Sequence, residues 1–194
     1  MREVRDHYFR KAKKQGYVAR SVYKLQEINQ KHNIIQKGDK VVDLGCFPGS
    51  WMQYIGESIG DSGMVVGIDL QELHIPLKRN MHFVQGDINE LDTALMSKFA
   101  SRFDTVCSDM APKTTGIKSM DAERSYRLCQ GAHSIARRCL EKGGNVIFKI
   151  FQGAPLEGFL GELKKDFTIV KRYKPESSRS ESVEVFVIGL GKKR

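Results

Sequence analysis

The sequence predicts an α/β fold of the Rossmann-like type, with a seven-stranded, mostly parallel sheet and an antiparallel last strand. Short β-branched and apolar runs alternate along most of the chain with stretches that carry apolar residues at helical spacing. Connections of helix length between successive strands are typical of right-handed βαβ units, whose parallel strands are covered by helices on both faces. The last two runs are joined instead by residues 174–180, a Ser-rich loop too short for a crossover helix. The seventh strand is therefore expected to run antiparallel to the sixth.

The expected elements begin with a basic, helical lead-in over residues 1–37, in which Val22, Leu25 and Ile28 recur at helical spacing between residues 20 and 31. Ser50 is well placed to cap a helix over residues 50–59. The predicted strands are residues 40–44, 64–69, 82–85, 103–108, 145–151, 167–173 and 183–188. Further helices are expected near residues 90–99, 121–140 and 156–165. We expect one domain over residues 1–194, in which the lead-in precedes a Rossmann-like core at residues 38–194.

The composition is that of a globular protein. The chain has 194 residues, of which 40% are apolar and 28% charged, and its mean hydropathy is −0.40. No apolar run approaches the roughly 18 residues of a spanning helix, and the first residues lack a signal-peptide core, so a soluble, cytoplasmic protein is expected. The four cysteines show no CxxC pair or ligand-like cluster. We interpret them as reduced core thiols and expect no metal site.

The positive charge lies at the two ends of the chain. The formal net charge is +9, with +7 over residues 1–40, −3 over residues 41–163 and +5 over residues 164–194. This distribution indicates a polyanionic partner, although a solvated basic face is the simpler alternative. The lead-in also interleaves basic residues with Tyr8, Phe9 and Tyr17, as single-stranded RNA readers do. An amphipathic helix with Tyr8 and Phe9 packed inward would explain the same pattern, and the two interpretations are compatible.

Acidic residues at the ends of predicted strands indicate a nucleoside ligand. In an open α/β sheet the ligand lies at the carboxyl ends of the strands, where Asp43, Asp69, Asp87 and Asp109 are expected. The first turn, residues 43–51 (DLGCFPGSW), is acidic and lacks the GxGxxG pattern that binds a dinucleotide pyrophosphate. Asp69 is placed to accept hydrogen bonds from ribose hydroxyls and Asp87 one from an adenine amino group. Ribose, adenine and a cationic centre together describe S-adenosylmethionine; a nicotinamide dehydrogenase is the alternative.

A charged residue in an apolar strand indicates reactive chemistry. Lys149 interrupts the predicted strand over residues 145–151, and Glu184 interrupts the last strand in the same way. A lysine buried there must be paired or neutral. A structural Lys149–Glu184 ion pair is one explanation. In the other, Lys149 lies beside Asp109 and acts as a base, and Lys24 supplies a second amine that disfavours protonation of the first.

Motifs along nearly the whole chain resemble those of the FtsJ-type RNA 2′-O-ribose methyltransferases. The matching segments are residues 20–25 (RSVYKL), 43–51 (DLGCFPGSW), 108–112 (SDMAP), 148–149 (FK) and 182–185 (SVEV). The resemblance implies a catalytic tetrad of Lys24, Asp109, Lys149 and Glu184, with Lys149 as the principal residue. It also implies that S-adenosylmethionine contacts Gly49, Trp51, Asp69, Asp87 and Asp109. The sequence departs from the family pattern at Cys46, Phe47 and Ser50, where the usual residues are smaller.

The resemblance also implies a substrate. The short form without extra domains is most similar to the bacterial enzymes that methylate a uridine in large-subunit (23S-type) ribosomal RNA. A methyltransferase for the tRNA anticodon loop is the alternative within the family, and a non-catalytic RNA-binding or ribosome-assembly protein is the alternative from another class. We expect a monomer that binds ribosomal RNA in the large subunit, with no DNA or membrane partner. On this interpretation Lys149 either takes the hydroxyl proton or, as a cation, orients and polarises the oxygen.

Overall fold

The seven-stranded sheet that the sequence predicts is present in the computed structural model, which describes residues 2–90, 96–179 and 181–194. The helices are α1 (Arg2–Lys14), α2 (Val22–His32), α3 (Ser50–Ile59), α4 (Lys118–Cys139) and α5 (Pro155–Asp166). The strands are β1 (Lys40–Leu44), β2 (Met64–Asp69), β3 (Met81–Gln85), β4 (Phe103–Ser108), β5 (Leu140–Phe151), β6 (Phe167–Tyr173) and β7 (Glu184–Lys192). The helix expected near residues 90–99 falls largely on residues 91–95, outside the described part of the chain.

The strand order is β3-β2-β1-β4-β5-β7-β6. The strands from β3 to β5 are parallel, whereas β7 lies between β5 and β6 and is antiparallel to both. The predicted fold class and the predicted direction of the last strand are therefore confirmed. The antiparallel pairing of β7 has a functional consequence, because it brings the first residue of β7, Glu184, opposite Phe151 at the carboxyl end of β5.

Two apolar layers cover the sheet, one on each face. Val41 packs in the layer formed with α2 and α3, whereas its neighbour Val42 packs in the layer formed with α4 and α5. This alternation follows from the two-residue period of a strand, and burial on both faces explains why the strands are apolar throughout. All four cysteines are buried free thiols within these layers, as the sequence predicts.

The lead-in packs beside α2. Ala12 is buried with Val22 and Tyr23, and Tyr8 packs against them. Phe9 faces outward, with 56% of its surface exposed. Of the two aromatic residues that the alternative expects to pack inward, Tyr8 does so and Phe9 does not. None of the helices in the described part of the chain combines the length and apolarity that a membrane span requires.

The start of α3 differs from the prediction. Ser50 does not cap the helix but is its first residue, and Gly49 occupies the N-cap position with a φ angle of 107°. A side chain at Gly49 would be strained at this φ, and its Cβ would lie 2.7 Å from Cδ1 of Ile75. The Ser50 hydroxyl hydrogen-bonds instead to the Ser21 hydroxyl at 2.9 Å, which joins α3 to the residue before α2.

Candidate active site

Four charged side chains from different parts of the chain meet at the carboxyl edge of the sheet. Asp109 follows β4 directly, Lys149 lies near the end of β5, Glu184 begins β7, and Lys24 lies in the first turn of α2. The parallel strands β4 and β5 end at the same edge, and the antiparallel β7 starts there. The fold thus assembles all four residues that the sequence analysis predicts as a tetrad.

The four side chains form a row of alternating charge. Lys149 Nζ lies 3.0 Å from Asp109 Oδ1 and 3.8 Å from Glu184 Oε1, and it donates a hydrogen bond to the Asp109 carbonyl oxygen. Lys24 Nζ donates to Glu184 Oε2 at 2.7 Å. Lys149 is only 6% exposed, so these contacts are its main environment. Both geometric expectations hold, since Lys149 contacts Glu184 and Asp109 at once.

The pKa of Glu184 reflects the charges on either side of it in the row. Burial alone would raise the pKa of this carboxyl group, but the ammonium groups of Lys24 and Lys149 outweigh the burial and lower the pKa below its ordinary value. Glu184 is therefore ionised at neutral pH and can hold both lysines in place.

The row of charges runs between two clefts. One has a volume of about 330 Å³ and is lined by residues that follow β1 to β4, among them Gly45, Asp69, Asp87 and Asp109. The other has a volume of about 460 Å³ and is lined by residues that include Lys24, Lys118, Arg179 and Glu184. Asp109 belongs to the first cleft, Lys24 and Glu184 belong to the second, and Lys149 contacts residues of both. We call them the acidic cleft and the basic cleft.

The carboxylates of the acidic cleft are anchored by backbone amides. Asp69 accepts hydrogen bonds from the N–H groups of Phe47 at 2.9 Å and Gln71 at 2.8 Å, one on each oxygen. Asp87 Oδ1 accepts from the backbone and the side chain of Asn89. Each carboxylate offers about four acceptor positions. Both residues therefore act as turn formers and keep acceptor positions free for a ligand.

Comparison with known proteins gives the family of this chain. The model of the FtsJ-like methyltransferase family matches residues 17–192. The chain belongs to the FtsJ-like methyltransferase family. The resemblance seen in the sequence motifs is therefore confirmed, and the chain is a methyltransferase.

Curated relatives of this FtsJ-like methyltransferase match over more than nine-tenths of their length. A ribosomal RNA large subunit methyltransferase E from Desulfatibacillum aliphaticivorans is 48% identical over 189 residues, which cover 97% of this chain and 91% of the relative. The protein of the same name from Bdellovibrio bacteriovorus is 46% identical over 192 residues, which cover 97% of each chain.

Solved structures share the fold. A protein described as a ribosomal RNA methyltransferase from Plasmodium falciparum superposes with a TM-score of 0.81 at 27% identity, covering 91% of this chain and 98% of that one. Fibrillarin from Aeropyrum pernix, solved with natively bound S-adenosyl-L-methionine, superposes with a TM-score of 0.56 at 14% identity, covering 81% of this chain and 68% of that one. At this lower identity the second likeness concerns the fold alone.

Two of the predicted cofactor residues in this FtsJ-like methyltransferase lie outside the lining of the acidic cleft. Trp51 is 2% exposed, its indole N–H donates to the Ser21 carbonyl oxygen at 3.0 Å, and its ring stacks on Phe186 at 5.9 Å. The Trp51 side chain therefore belongs to the core rather than to the wall of the cleft. Gly49 lies one residue before α3, where it shapes the turn between β1 and the helix.

Sequence reasoning missed the environment of Asp43 in the FtsJ-like fold. Both carboxylate oxygens of Asp43 are buried, with no hydrogen-bond partner among the described residues. Burial raises the pKa of Asp43 well above its ordinary range, and the nearby carboxylates of Asp109 and Asp69 raise it further. An acidic residue inside the apolar run of β1 is the signal that could have shown it, since a carboxyl group there must be neutral or paired.

Proposed function

We propose that this FtsJ-like methyltransferase transfers a methyl group from S-adenosylmethionine to a ribose 2′-hydroxyl of RNA, and that its substrate is large-subunit ribosomal RNA. The contact of Lys149 with residues of two clefts carries the proposal. A transfer between two bound molecules needs a donor site and an acceptor site that meet at the reacting atoms. The row from Asp109 to Lys24 begins in the acidic cleft and ends in the basic cleft.

The acidic cleft fits the methyl donor. S-adenosylmethionine supplies, when bound, an electrophilic methyl group on a sulfonium centre. The remaining acceptor positions of Asp69 and Asp87 suit ribose hydroxyls and an adenine amino group. A volume of about 330 Å³ lies within the range of small-ligand sites.

The four charged residues suit the chemistry of the acceptor. Lys149 contacts the 2′-oxygen in this proposal, while Asp109 and Glu184 fix the position of its Nζ atom. Lys24 holds Glu184 from the other side. As the new oxygen–carbon bond forms and the carbon–sulfur bond breaks, the hydroxyl proton leaves. Lys149 either accepts that proton or polarises the oxygen as a cation, and a pH–rate profile separates the two roles because only the first requires a neutral amine.

The basic cleft and the lead-in suit RNA. Arg20, Lys24, Lys118 and Arg179 line the basic cleft beside three acidic residues. Lys24 is bound to Glu184, so Lys118 and Arg179 are the charges that would face phosphates. The exposed ring of Phe9 adds a surface on which an unpaired base can stack. The name shared by the curated relatives, ribosomal RNA large subunit methyltransferase E, supports the choice of large-subunit ribosomal RNA.

The substrate is tested by offering radiolabelled S-adenosylmethionine with three acceptors: large ribosomal subunits that lack the modification, naked ribosomal RNA and bulk tRNA. We expect label in ribosomal RNA, and the ratio of subunits to naked RNA measures the requirement for assembly. Label in tRNA alone would overturn the substrate, and cofactor binding without transfer to any RNA would overturn the enzymatic activity.

A further inference from the structure

One wall of the basic cleft is the loop between β6 and β7, residues 174–183. Of the described loop residues, Ser177, Arg179, Glu181, Ser182 and Val183 line the cleft. The same loop leads directly into Glu184, the first residue of β7. Its position therefore sets the shape of the cleft beside the row of charges.

Glu27 of α2 binds this loop through two backbone amides. Glu27 Oε2 accepts the N–H of Glu176 at 2.6 Å, and Glu27 Oε1 accepts the N–H of Ser177 at 2.9 Å. Arg20 Nη2 donates to the carbonyl oxygen of Ser177 at 2.8 Å. Three successive peptide groups, between residues 175 and 178, are thus held by one carboxylate and one guanidinium. Charge-assisted hydrogen bonds of this kind are about twice as strong as neutral ones.

The arrangement couples the loop to the row of charges. Lys24 and Glu27 lie three residues apart, on one face of α2. Lys24 binds Glu184, and Glu27 binds the loop that precedes Glu184. One helix face therefore fixes both Glu184 and the wall of the cleft next to it.

A hydrogen bond also joins the two ends of the loop. Lys174 Nζ donates to the Ser182 carbonyl oxygen at 2.9 Å, across the base of the loop. Ser177 is 2% exposed, and its hydroxyl is buried without a hydrogen-bond partner among the described residues. The Ser177 hydroxyl contributes no bond, so this part of the loop is held by the contacts with Glu27 and Arg20 and by the turn hydrogen bond from the Ser178 N–H to the Pro175 carbonyl oxygen at 3.1 Å. Arg179, two residues further on, is exposed and lines the basic cleft.

We infer that Glu27 is a positioning residue for the RNA acceptor: by holding residues 176 and 177, it presents Arg179 at the basic cleft. The inference rests on the proposed function of the basic cleft. It assigns to Glu27 an effect on acceptor binding that does not extend to the methyl donor, since Glu27 does not line the acidic cleft.

Glu27→Gln tests the inference with almost no change in side-chain volume. The glutamine oxygen can still accept one N–H, but its NH₂ group faces the other amide as a second donor. Loss of one charge-assisted bond to an ordered loop predicts a rise of about tenfold in KM for the RNA. The kcat and the Kd of S-adenosylmethionine are expected to stay within about twofold, because the substitution leaves the contacts of the acidic cleft and of the four charged residues in place. Glu27→Asp keeps the charge at a shorter reach and is expected to give an intermediate KM.

Glu162→Gln is the matched control. Glu162 also bridges two elements, because it accepts the Tyr126 hydroxyl at 2.6 Å between α4 and α5, but it lines neither cleft. We expect its variant to lower the Tm without raising KM. A purely structural role of Glu27 would give the same result as Glu162→Gln, and that outcome would overturn the inference.

A double-mutant cycle with Arg179→Gln isolates the coupling. If Glu27 acts by presenting Arg179, Arg179→Gln raises KM in the wild-type background and raises it clearly less in the Glu27→Gln background. Equal effects in both backgrounds would contradict the inference. Failure of the proposed function is distinguished from these outcomes because it appears in the wild-type enzyme, as an absence of transfer to any RNA.

Discussion

Replacing Lys149 with methionine removes the amine that contacts both clefts while keeping a flexible side chain of similar length. Lys149 contacts two carboxylates, at 3.0 Å and 3.8 Å, and the carbonyl oxygen of Asp109. Lys24→Met is the matched comparison, because Lys24 contacts Glu184 alone among the four charged residues. The two variants remove the same charge from the same row, at its centre and at its end.

The contacts predict different losses of kcat for the two variants. A group that handles the proton of the reacting hydroxyl contributes about 10²–10⁴-fold, so kcat of Lys149→Met is expected to fall about 10³-fold. Lys24 acts through Glu184, and loss of one hydrogen bond to a charged group predicts a fall of about tenfold to a hundredfold. Lys149→Met also leaves Asp109 without its cation. The expected cost is about 3 kcal/mol of stability, at the low end for a broken buried pair because Asp109 is 18% exposed.

Single-turnover methyl transfer at saturating cofactor measures the chemical step, and calorimetry measures the Kd of S-adenosylmethionine. We expect that Kd to stay within about threefold in Lys149→Met, because Lys149 does not line the acidic cleft. The Tm shows whether the variant is folded under the assay conditions. A Lys149→Met enzyme that is folded and retains more than a tenth of the wild-type rate would refute the reasoning, as would a larger loss in Lys24→Met.

Three further predictions concern the cofactor, stability and RNA binding. Asp69→Asn removes the charge of a carboxylate in the acidic cleft and is expected to raise the Kd of S-adenosylmethionine about tenfold or more in calorimetry. The raised pKa of Asp43 gives stability that is present below the ordinary Asp pKa and lost as the pH rises toward the raised value. The Tm of Asp43→Asn minus the Tm of the wild type, both measured without cofactor, should therefore increase between pH 5 and pH 8. Both pH values lie above the ordinary Asp pKa of about 4. Replacing the exposed Lys13 and Lys14 with glutamine should reduce the slope of log K against log salt for single-stranded RNA by about 1.4, which is about 0.7 for each lysine.

Each of these predictions has a control. Asp61→Asn removes an exposed acid that lines neither cleft and should leave the cofactor Kd unchanged; an equal effect of the two variants would remove Asp69 from the site. A Tm difference for Asp43→Asn that stays constant with pH would contradict a raised pKa of Asp43. Lys40 and Lys142 are exposed at the start of β1 and β5, at the sheet edge opposite the clefts. Glutamine at these two positions should leave the salt slope unchanged, and a matching loss there would indicate diffuse charge attraction only.

The fold and the tetrad could be predicted because both leave local signals in the sequence. Alternating strands and helices fix a parallel sheet, and the short connection before β7 fixes its direction. A lysine in the apolar run of β5 and a glutamate at the start of β7 stand out because burial of a charge is costly. The structure brings both beside Asp109 and Lys24, whereas their catalytic roles stay predictions.

The rest depends on tertiary contacts that leave no periodic pattern. Glu27 binds the N–H groups of Glu176 and Ser177, which lie 149 and 150 positions further along the chain. Nothing in the local sequence therefore distinguishes Glu27 from a solvated glutamate. Trp51 resembles a cofactor contact by its place in the turn, but its indole N–H finds a partner in Ser21, and its side chain turns inward. Gly49 replaces Ser50 as the cap because the turn needs a positive φ angle, which only the three-dimensional path of the loop reveals.

The central claim, that the row of charges transfers methyl to a ribose oxygen, is tested most directly by the position of the methyl group in the product. Ribosomal RNA is methylated with S-adenosylmethionine carrying a deuterated methyl group and digested to nucleosides, and each nucleoside is fragmented by mass spectrometry, with Lys149→Met as the blank. We predict that the deuterated methyl group stays with the ribose fragment and is about 10³-fold less abundant in the blank at an early time point. Deuterium in the base fragment, or an equal amount of ribose label from Lys149→Met, would contradict the account.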